Sequence, residues 1–301
     1  MGIAITGCST LQAPPSAHVE IGWTRYDVPH IRANDYHSLG FGYGHVFARD
    51  RLCEAVGRAI AFRGERSRWY GADGRATVGF LKTTNLNSDL IYRLRLPEAW
   101  VQAEWGKLDT KTRDYVRGAV AGMNDYVANL SDTERSTACP GEPIPTFTVS
   151  DVVRAAMLIG VMRELVDIGP SVVSSSLALQ ESVPEYLEPS VHAWPVEVEG
   201  GFGSNGWVYG SDVVAGGGAL MLGNPHSAWH RRPDQQRIYM HQVHLTIPGE
   251  LDVAGASFSG IPMPLTGFNR DVAWTIFHAG TVTTHVLQAM DVNLSVKWTP
   301  L

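Results

Sequence analysis

The sequence predicts an α+β fold in which a mostly helical first part precedes a strand-rich second part. Two observations carry that expectation. Between about residues 35 and 185, apolar side chains recur at three- and four-residue steps. From Ser204 onward the chain breaks into short β-prone runs divided by glycine and proline. Helical segments followed by a run of strands fit a layered α+β arrangement rather than alternating βα units.

The elements follow in order. Arg49–Arg63 is the first helix candidate, with Leu52, Val56, Ala59 and Ile60 along one side. Tyr115, Val116, Val120, Met123, Val127 and Leu130 make one apolar face of another. Thr148-Val149-Ser150-Asp151 reads as a cap before the apolar run Val152–Leu165. The stretch Ser182–Gly203 holds Pro184, Pro189 and Pro195, four glutamates, and then Gly200-Gly201-Phe202-Gly203, which is the composition of an exposed linker. Beyond it, Asn205–Tyr209, Ala219–Leu222, Arg237–Ile247, Leu251–Ala256 and Val272–Ile276 read as strands.

Composition narrows the function. A hydrophobic share of 44% and a charged share of 18% belong to a folded globular chain. A net charge of −6 without a basic block argues against nucleic acid as a partner. No run approaches the roughly 20 apolar residues of a transmembrane helix; Ala155–Met162 is short and flanked by Arg154 and Arg163. The nine Trp, ten Tyr and nine Phe suit a well-filled core first and an acyl-gripping pocket second. Ile5-Thr6-Gly7-Cys8 followed by Ser9 looks like a lipoprotein cleavage box, yet Met1–Gly7 has neither a positive n-region nor a full apolar stretch. Either the true start lies upstream or the match is chance. With Cys8 set aside, Cys53 and Cys139 are either one disulfide of an oxidising compartment or two reduced thiols.

The chemistry centres on Gly203-Ser204. Phe202-Gly203-Ser204-Asn205-Gly206 misses the G-x-S-x-G elbow at its first position, so an ordinary serine triad is disfavoured. A terminal serine has another base available, its own α-amino group, with an unperturbed pKa of about 7.7–8.0. That solution requires cleavage before Ser204, and Gly203 leaves its carbonyl open to attack by the serine hydroxyl. Taken alone, Gly-Ser-Asn after a glycine-rich linker is also an ordinary turn entering a strand. His226 with His230, and His241 with His244, stand at ligand-like spacings, but no HExxH pattern or cysteine cluster accompanies them, so no metal site is expected.

Several separated motifs, in order, resemble one family. They are Ser204-Asn205 opening a strand, Leu222-Gly223-Asn224-Pro225-His226, Val243-His244-Leu245-Thr246-Ile247-Pro248-Gly249 and Gly267-Phe268-Asn269-Arg270-Asp271-Val272-Ala273-Trp274-Thr275. Upstream stand Tyr26-Asp27-Val28-Pro29-His30-Ile31, the run Gly40–Arg51 with Arg49 where Glu is usual, and Arg63–Gly71. From about residue 20 to 290 the chain resembles the penicillin acylase (penicillin amidase) family of N-terminal-nucleophile hydrolases, and within it the acyl-homoserine-lactone and aculeacin acylases. The resemblance implies a four-layer αββα fold, incomplete at the C-terminus. It implies residues 1–19 as the remnant of a signal or lipobox region and 20–185 as an α-subunit-like part. It further implies 186–203 as a spacer and 204–301 as the start of a β-subunit.

The resemblance also implies site residues and partners. Ser204 matches the nucleophile and, once Gly203–Ser204 is cut, supplies the α-amino base. His226 matches the residue that orients it. Counting from Trp274 gives His278, with Ala279 as the alternative, as the backbone oxyanion donor. Cys53 and Cys139 match a family disulfide. The implied substrate is a small N-acyl amide, the partners are the α and β chains of one precursor, and the location is periplasmic or secreted. No cofactor is implied beyond the calcium some relatives hold, and Gly280–Val286 has no Asp or Glu to bind it. Family β-subunits run several times further than Ser204–Leu301, and their second oxyanion donor lies beyond that point; losing one such donor costs about 2.7–4 kcal/mol. A truncated, inactive remnant that binds acyl ligands is therefore the alternative to an active hydrolase. A secreted β-rich binding module would explain the composition but not the ordered motifs.

Overall fold

A computed structural model describes residues 17–78, 81–158, 204–226, 240–258 and 261–276. Two strands precede the first helix: β1 (Val19–Trp23) and β2 (Pro29–Ala33) pair antiparallel, with Ile21 opposite Ile31. Asp35 then caps helix α1 (Tyr36–Phe62), its carboxylate accepting the Ser38 amide at 2.7 Å and the Ser38 hydroxyl at 2.8 Å.

Helix α1 begins well before the expected Arg49–Arg63 segment. Gly40-Phe41-Gly42-Tyr43-Gly44 has poor helix propensity, and packing on two sides holds it helical. A Cβ on Gly40 would lie 2.0 Å from the Tyr115 carbonyl oxygen, and one on Gly44 would lie 1.9 Å from that of Ala119. Both carbonyls belong to α5 (Thr110–Ala128). The contact is reciprocal, because Cβ atoms on Gly118 and Gly122 would each stand 2.0 Å from the His37 and Phe41 carbonyl oxygens. On the opposite side, a Cβ on Gly42 would meet Ile31 and Val19 of the β1–β2 hairpin at 2.6 Å. Helix α1 is thus pressed between α5 and the sheet. On α5, Tyr115, Val116 and Met123 are buried as the periodicity predicts, whereas Val120 and Val127 are only half-buried, as is Leu130 just past the helix end. The close approach is made by small residues that hydrophobic periodicity does not mark.

Helix α1 departs from helical geometry at Arg51 (φ −141°, ψ 32°) and closes at Arg63. There the guanidinium donates to both Asp151 carboxylate oxygens, at 2.7 and 2.5 Å. The same carboxylate accepts the Thr148 amide at 2.7 Å and the Thr148 hydroxyl at 2.8 Å, and residues 149–158 are helical. The cap read from sequence therefore also neutralises the guanidinium at the end of α1.

Helix α2 (Arg66–Tyr70), the hairpin β3 (Arg75–Val78) with β4 (Leu81–Thr84), α3 (Asn85–Arg95), α4 (Glu98–Lys107) and α6 (Asp132–Ala138) complete the first part. The β3–β4 pair interrupts a stretch read as helical. Its β-branched Thr77, Val78, Thr83 and Thr84 favour a pleated backbone over a helix.

In the second part, β5 (Ser204–Tyr209) pairs with β6 (Leu220–Pro225), apart from β7 (Met240–Ile247), β8 (Leu251–Phe258), β9 (Thr266–Phe268) and β10 (Ala273–Trp274). The large sheet has the order β1-β2-β7-β8-β9-β10, parallel only at β2–β7 and antiparallel elsewhere. Val243, Leu245 and Ile247 join Ile31 and the apolar face of α1 in the main core. Cys8, the Ser182–Gly203 linker, His230, His278, Ala279 and Gly280–Val286 lie outside the described residues. Among the described residues no helix is long and apolar enough to cross a membrane.

Cys53 of α1 and Cys139, at the end of α6, are joined by a disulfide with Cα atoms 5.0 Å apart and a sequence separation of 86. Closing a loop of that length lowers the entropy of the unfolded chain, an effect worth about 4–5 kcal/mol in the loop-entropy treatment. Replacing both cysteines by alanine is expected to lower unfolding free energy by about 2–4 kcal/mol in urea titration. Gly44→Ala and Gly122→Ala are expected to lose at least about 1–3 kcal/mol each, since backbone rather than a movable side chain blocks the new methyl. Gly57→Ala, on α1 with nothing within 4 Å of the added Cβ, is expected to gain about 0.5–1 kcal/mol by the same assay.

Candidate active site

Ser204 opens β5, and its partner across the hairpin is Pro225, the last residue of β6. His226 follows directly, so the register brings the two sequence-selected residues to the same end of one hairpin. Proline lacks the N–H that would extend the ladder, which ends the pairing there. At the other end the chain turns through Gly216, Gly217 and Gly218, all at positive φ, a backbone open to glycine without strain.

The hairpin is docked by a glycine. A Cβ on Gly223 would lie 2.7 Å from the Thr275 hydroxyl and 3.3 Å from that of Thr266. Thr266 is in register with Ala256, and Ala256 with Gln242, which alternates with core-facing Val243. The hairpin therefore rests at the β9–β10 end of the sheet, on the face turned away from α1. Strands β9 and β10 are held by local chemistry: the Asn269 side-chain oxygen, Oδ1, accepts the Asp271 and Val272 amides at 2.8 and 2.7 Å, shaping the turn. Trp274 Nε1 donates to the Pro264 carbonyl at 3.2 Å, and the Thr266 hydroxyl donates to the Trp274 carbonyl at 3.2 Å. The described chain ends two residues beyond Trp274.

A family model described as penicillin amidase matches residues 18–293. The chain belongs to the penicillin amidase family. It is 33% identical over 278 residues to an acyl-homoserine lactone acylase PvdQ of Pseudomonas fluorescens, covering 89% of this chain and 34% of that protein. It is 33% identical over 261 residues to the aculeacin-A acylase of Actinoplanes utahensis, covering 83% of this chain and 32% of the relative. Among solved structures, a thermostable penicillin G acylase from Alcaligenes faecalis matches at 24% identity and a TM-score of 0.40, over 55% of this chain and 84% of the other. The chain spans about a third of the length of the curated relatives it matches.

In this penicillin amidase chain the histidines of β7 separate by the pleat. His241 shares a face with Val243, while His244 lies on the opposite face, three residues on. The spacing that looks ligand-like in sequence thus sends the two rings to different sides of the sheet. Among the described residues no group of three His, Cys, Asp or Glu side chains is placed to hold a metal ion.

His241 enters a polar knot beneath α1 that sequence reading does not find. The Tyr43 hydroxyl donates to the Ile261 carbonyl at 3.0 Å and meets His241 Nε2, and the Ser257 hydroxyl donates to the same carbonyl at 2.7 Å. With the Tyr43 proton committed to Ile261, His241 is the donor to Tyr43. Its buried Nδ1 then has no hydrogen-bond partner among the described residues. Burial first, and the nearby Arg51 charge second, hold the imidazole down to about 4, and burial pushes the Tyr43 hydroxyl up. The folded chain keeps His241 neutral where the unfolded chain, with its ordinary value near 6.5, already binds a proton. Stability is therefore lost as pH falls from about 6.5 toward 4, at up to about 1.4 kcal/mol per pH unit. Between pH 7 and pH 5, His241→Phe is expected to lose about 2 kcal/mol less unfolding free energy than the parent, measured by urea titration at both pH values.

Proposed function

We propose that the chain carries the nucleophile segment of an N-acyl amide hydrolase, with Ser204 acting as an N-terminal nucleophile. The observation that best supports this is the hairpin register, Ser204 opposite Pro225, which immediately precedes His226, within a match to the penicillin amidase family. Maturation begins when the Ser204 hydroxyl oxygen attacks the Gly203 carbonyl carbon. The Gly203–Ser204 C–N bond breaks, leaving an ester on the serine oxygen and a free α-amine. Water then cleaves the ester and Gly203 leaves as a carboxylate.

In turnover, the freed α-amine takes the hydroxyl proton as Ser204 attacks the substrate carbonyl, and it returns that proton to the departing amine. Water hydrolyses the acyl-serine ester and releases the acid. His226 orients the serine and its amine. A backbone N–H at His278 or Ala279 is the oxyanion donor in this reading. The relatives' printed names point to N-acyl-homoserine lactones or lipopeptides as the amides acted on.

The same reading extends to architecture and place. The hairpin resting on the sheet face away from α1 supports the two inner layers of an αββα arrangement, with helices outside. The Cys53–Cys139 disulfide supports an oxidising, periplasmic or extracellular setting.

Mass spectrometry of the expressed full chain is expected to find a new N-terminus at Ser204, absent in Ser204→Ala. Folded protein with an intact Gly203–Ser204 bond would sink the maturation step. Where turnover of an N-acyl-homoserine lactone is measurable, Ser204→Ala is expected to lower kcat/KM by about 10⁴-fold or more. His226→Ala is expected to lower it by about 10²-fold. A cleaved chain that binds acyl ligands without turnover would favour the remnant reading instead.

A further inference from the structure

The sheet face turned away from α1 carries a second arrangement of histidines, on strands from both parts of the chain. His30 of β2 stands directly opposite His244 of β7 in the parallel pair. Their Nδ1 atoms are 2.8 Å apart, with the rings edge to face at a centroid distance of 4.8 Å. The far nitrogen of His244, Nε2, lies 2.6 Å from Asp252 Oδ1 on the neighbouring strand β8.

We propose that His30 and His244 form a binding site for a borderline divalent transition-metal ion, with zinc as the reference ion, and that Asp252 orients it. An ionised carboxylate only accepts hydrogen bonds, so Asp252 fixes the proton of His244 on Nε2 and leaves a lone pair on Nδ1. That lone pair points at His30 Nδ1. A carboxylate behind an imidazole whose other nitrogen is free is the arrangement that raises ligand basicity and holds a metal-binding ring in place. The distance also suits the ion. Two nitrogens bound tetrahedrally at about 2.0–2.1 Å sit roughly 3.3 Å from each other, so the rings need to part by only about half an ångström.

Accessibility favours the adjustment: the His30 side chain is exposed and that of His244 is about 30% exposed. Without metal, His30 donates its Nδ1 proton to His244. On binding, His30 takes its Nε2–H tautomer, and both Nδ1 lone pairs meet the ion with no net release of protons. Solvent completes the coordination, since among the described residues no third ligand group joins the pair. The ion would clip β2 to β7, the parallel pair of the large sheet, where a strand before the linker meets one after it. On the same face, β7 lies two strands from β9, where Gly223 docks, about 10 Å at ordinary strand spacing.

The test uses the full chain, freed of metal, titrated calorimetrically with zinc chloride in a non-coordinating buffer at pH 7.5. One binding event is expected that vanishes in His30→Ala and in His244→Ala and weakens by about 10–100-fold in Asp252→Asn. A second measurement needs no variant. Zinc is expected to protect His30 and His244 from carbethoxylation, mapped by mass spectrometry. His45, whose Nδ1 is taken by Asp125 at 3.2 Å, is expected to react equally with and without zinc. An isotherm that is the same in the parent and in His244→Ala overturns the proposal, as does equal modification of His30 and His244 in both conditions.

Discussion

The spacing between α1 and α5 is set by four glycines, and most of the described structure hangs on it. Gly40 and Gly44 on one helix, and Gly118 and Gly122 on the other, let carbonyl oxygens of each backbone sit where Cβ atoms of the other would be. Gly42, two residues from each of its neighbours, faces the other way and admits Ile31 and Val19 of the sheet. A helix that is thin on two sides can be buried in the middle of a stack. Large side chains of the same helix are thereby placed: Tyr43 and Phe47 reach under the sheet to His241, and Leu39, Val46 and Val56 fill the main core. The helix propensity lost at the glycines is offset by dispersion contacts at close range and by the apolar area buried around them.

From that packed helix the rest is tied down at identifiable points. The disulfide holds the middle of α1 to the end of α6, and the Arg63–Asp151 pair holds its end to the helical segment 149–158. Strands β1 and β2 lie on α1 and continue, through the parallel β2–β7 pairing, into the sheet formed after the linker. The part read from sequence as helical therefore contributes two strands to the sheet of the part read as β-rich. The described residues before 158 and after 204 are thus joined through a shared sheet and a shared core.

The β5–β6 hairpin is built differently. Trp207, Val208, Tyr209, Leu220 and Leu222 are exposed large apolar side chains, and its anchor to the large sheet is the Gly223 contact with Thr266 and Thr275. Its register is nonetheless well determined, because a run of six paired residues ends at Pro225. That register, rather than burial, brings Ser204 and His226 to one end.

Much of the secondary structure was legible in the sequence, because period and punctuation are local. The strand runs Asn205–Tyr209 and Leu251–Ala256 lie within β5 and β8, and the Thr148–Asp151 cap is where its hydrogen-bonding groups predict. The ordered motifs likewise sufficed to name the family. What local reading missed were elements whose stability comes from elsewhere. The glycine-rich start of α1 is helical only because α5 and the sheet close on it. The β1–β2 hairpin gains its second partner from a strand more than two hundred residues away. The same divide separates the histidines. Sequence spacing paired His241 with His244, and the period of two in a strand sent them to opposite faces. Tertiary pairing gave each its actual neighbours, Tyr43 for one and His30 with Asp252 for the other. The sequence by itself determined the family and the order of the motifs that mark it, because each motif is a short local string. The tertiary structure decided which of them meet, because cross-strand register and helix approach depend on surfaces brought from distant parts of the chain.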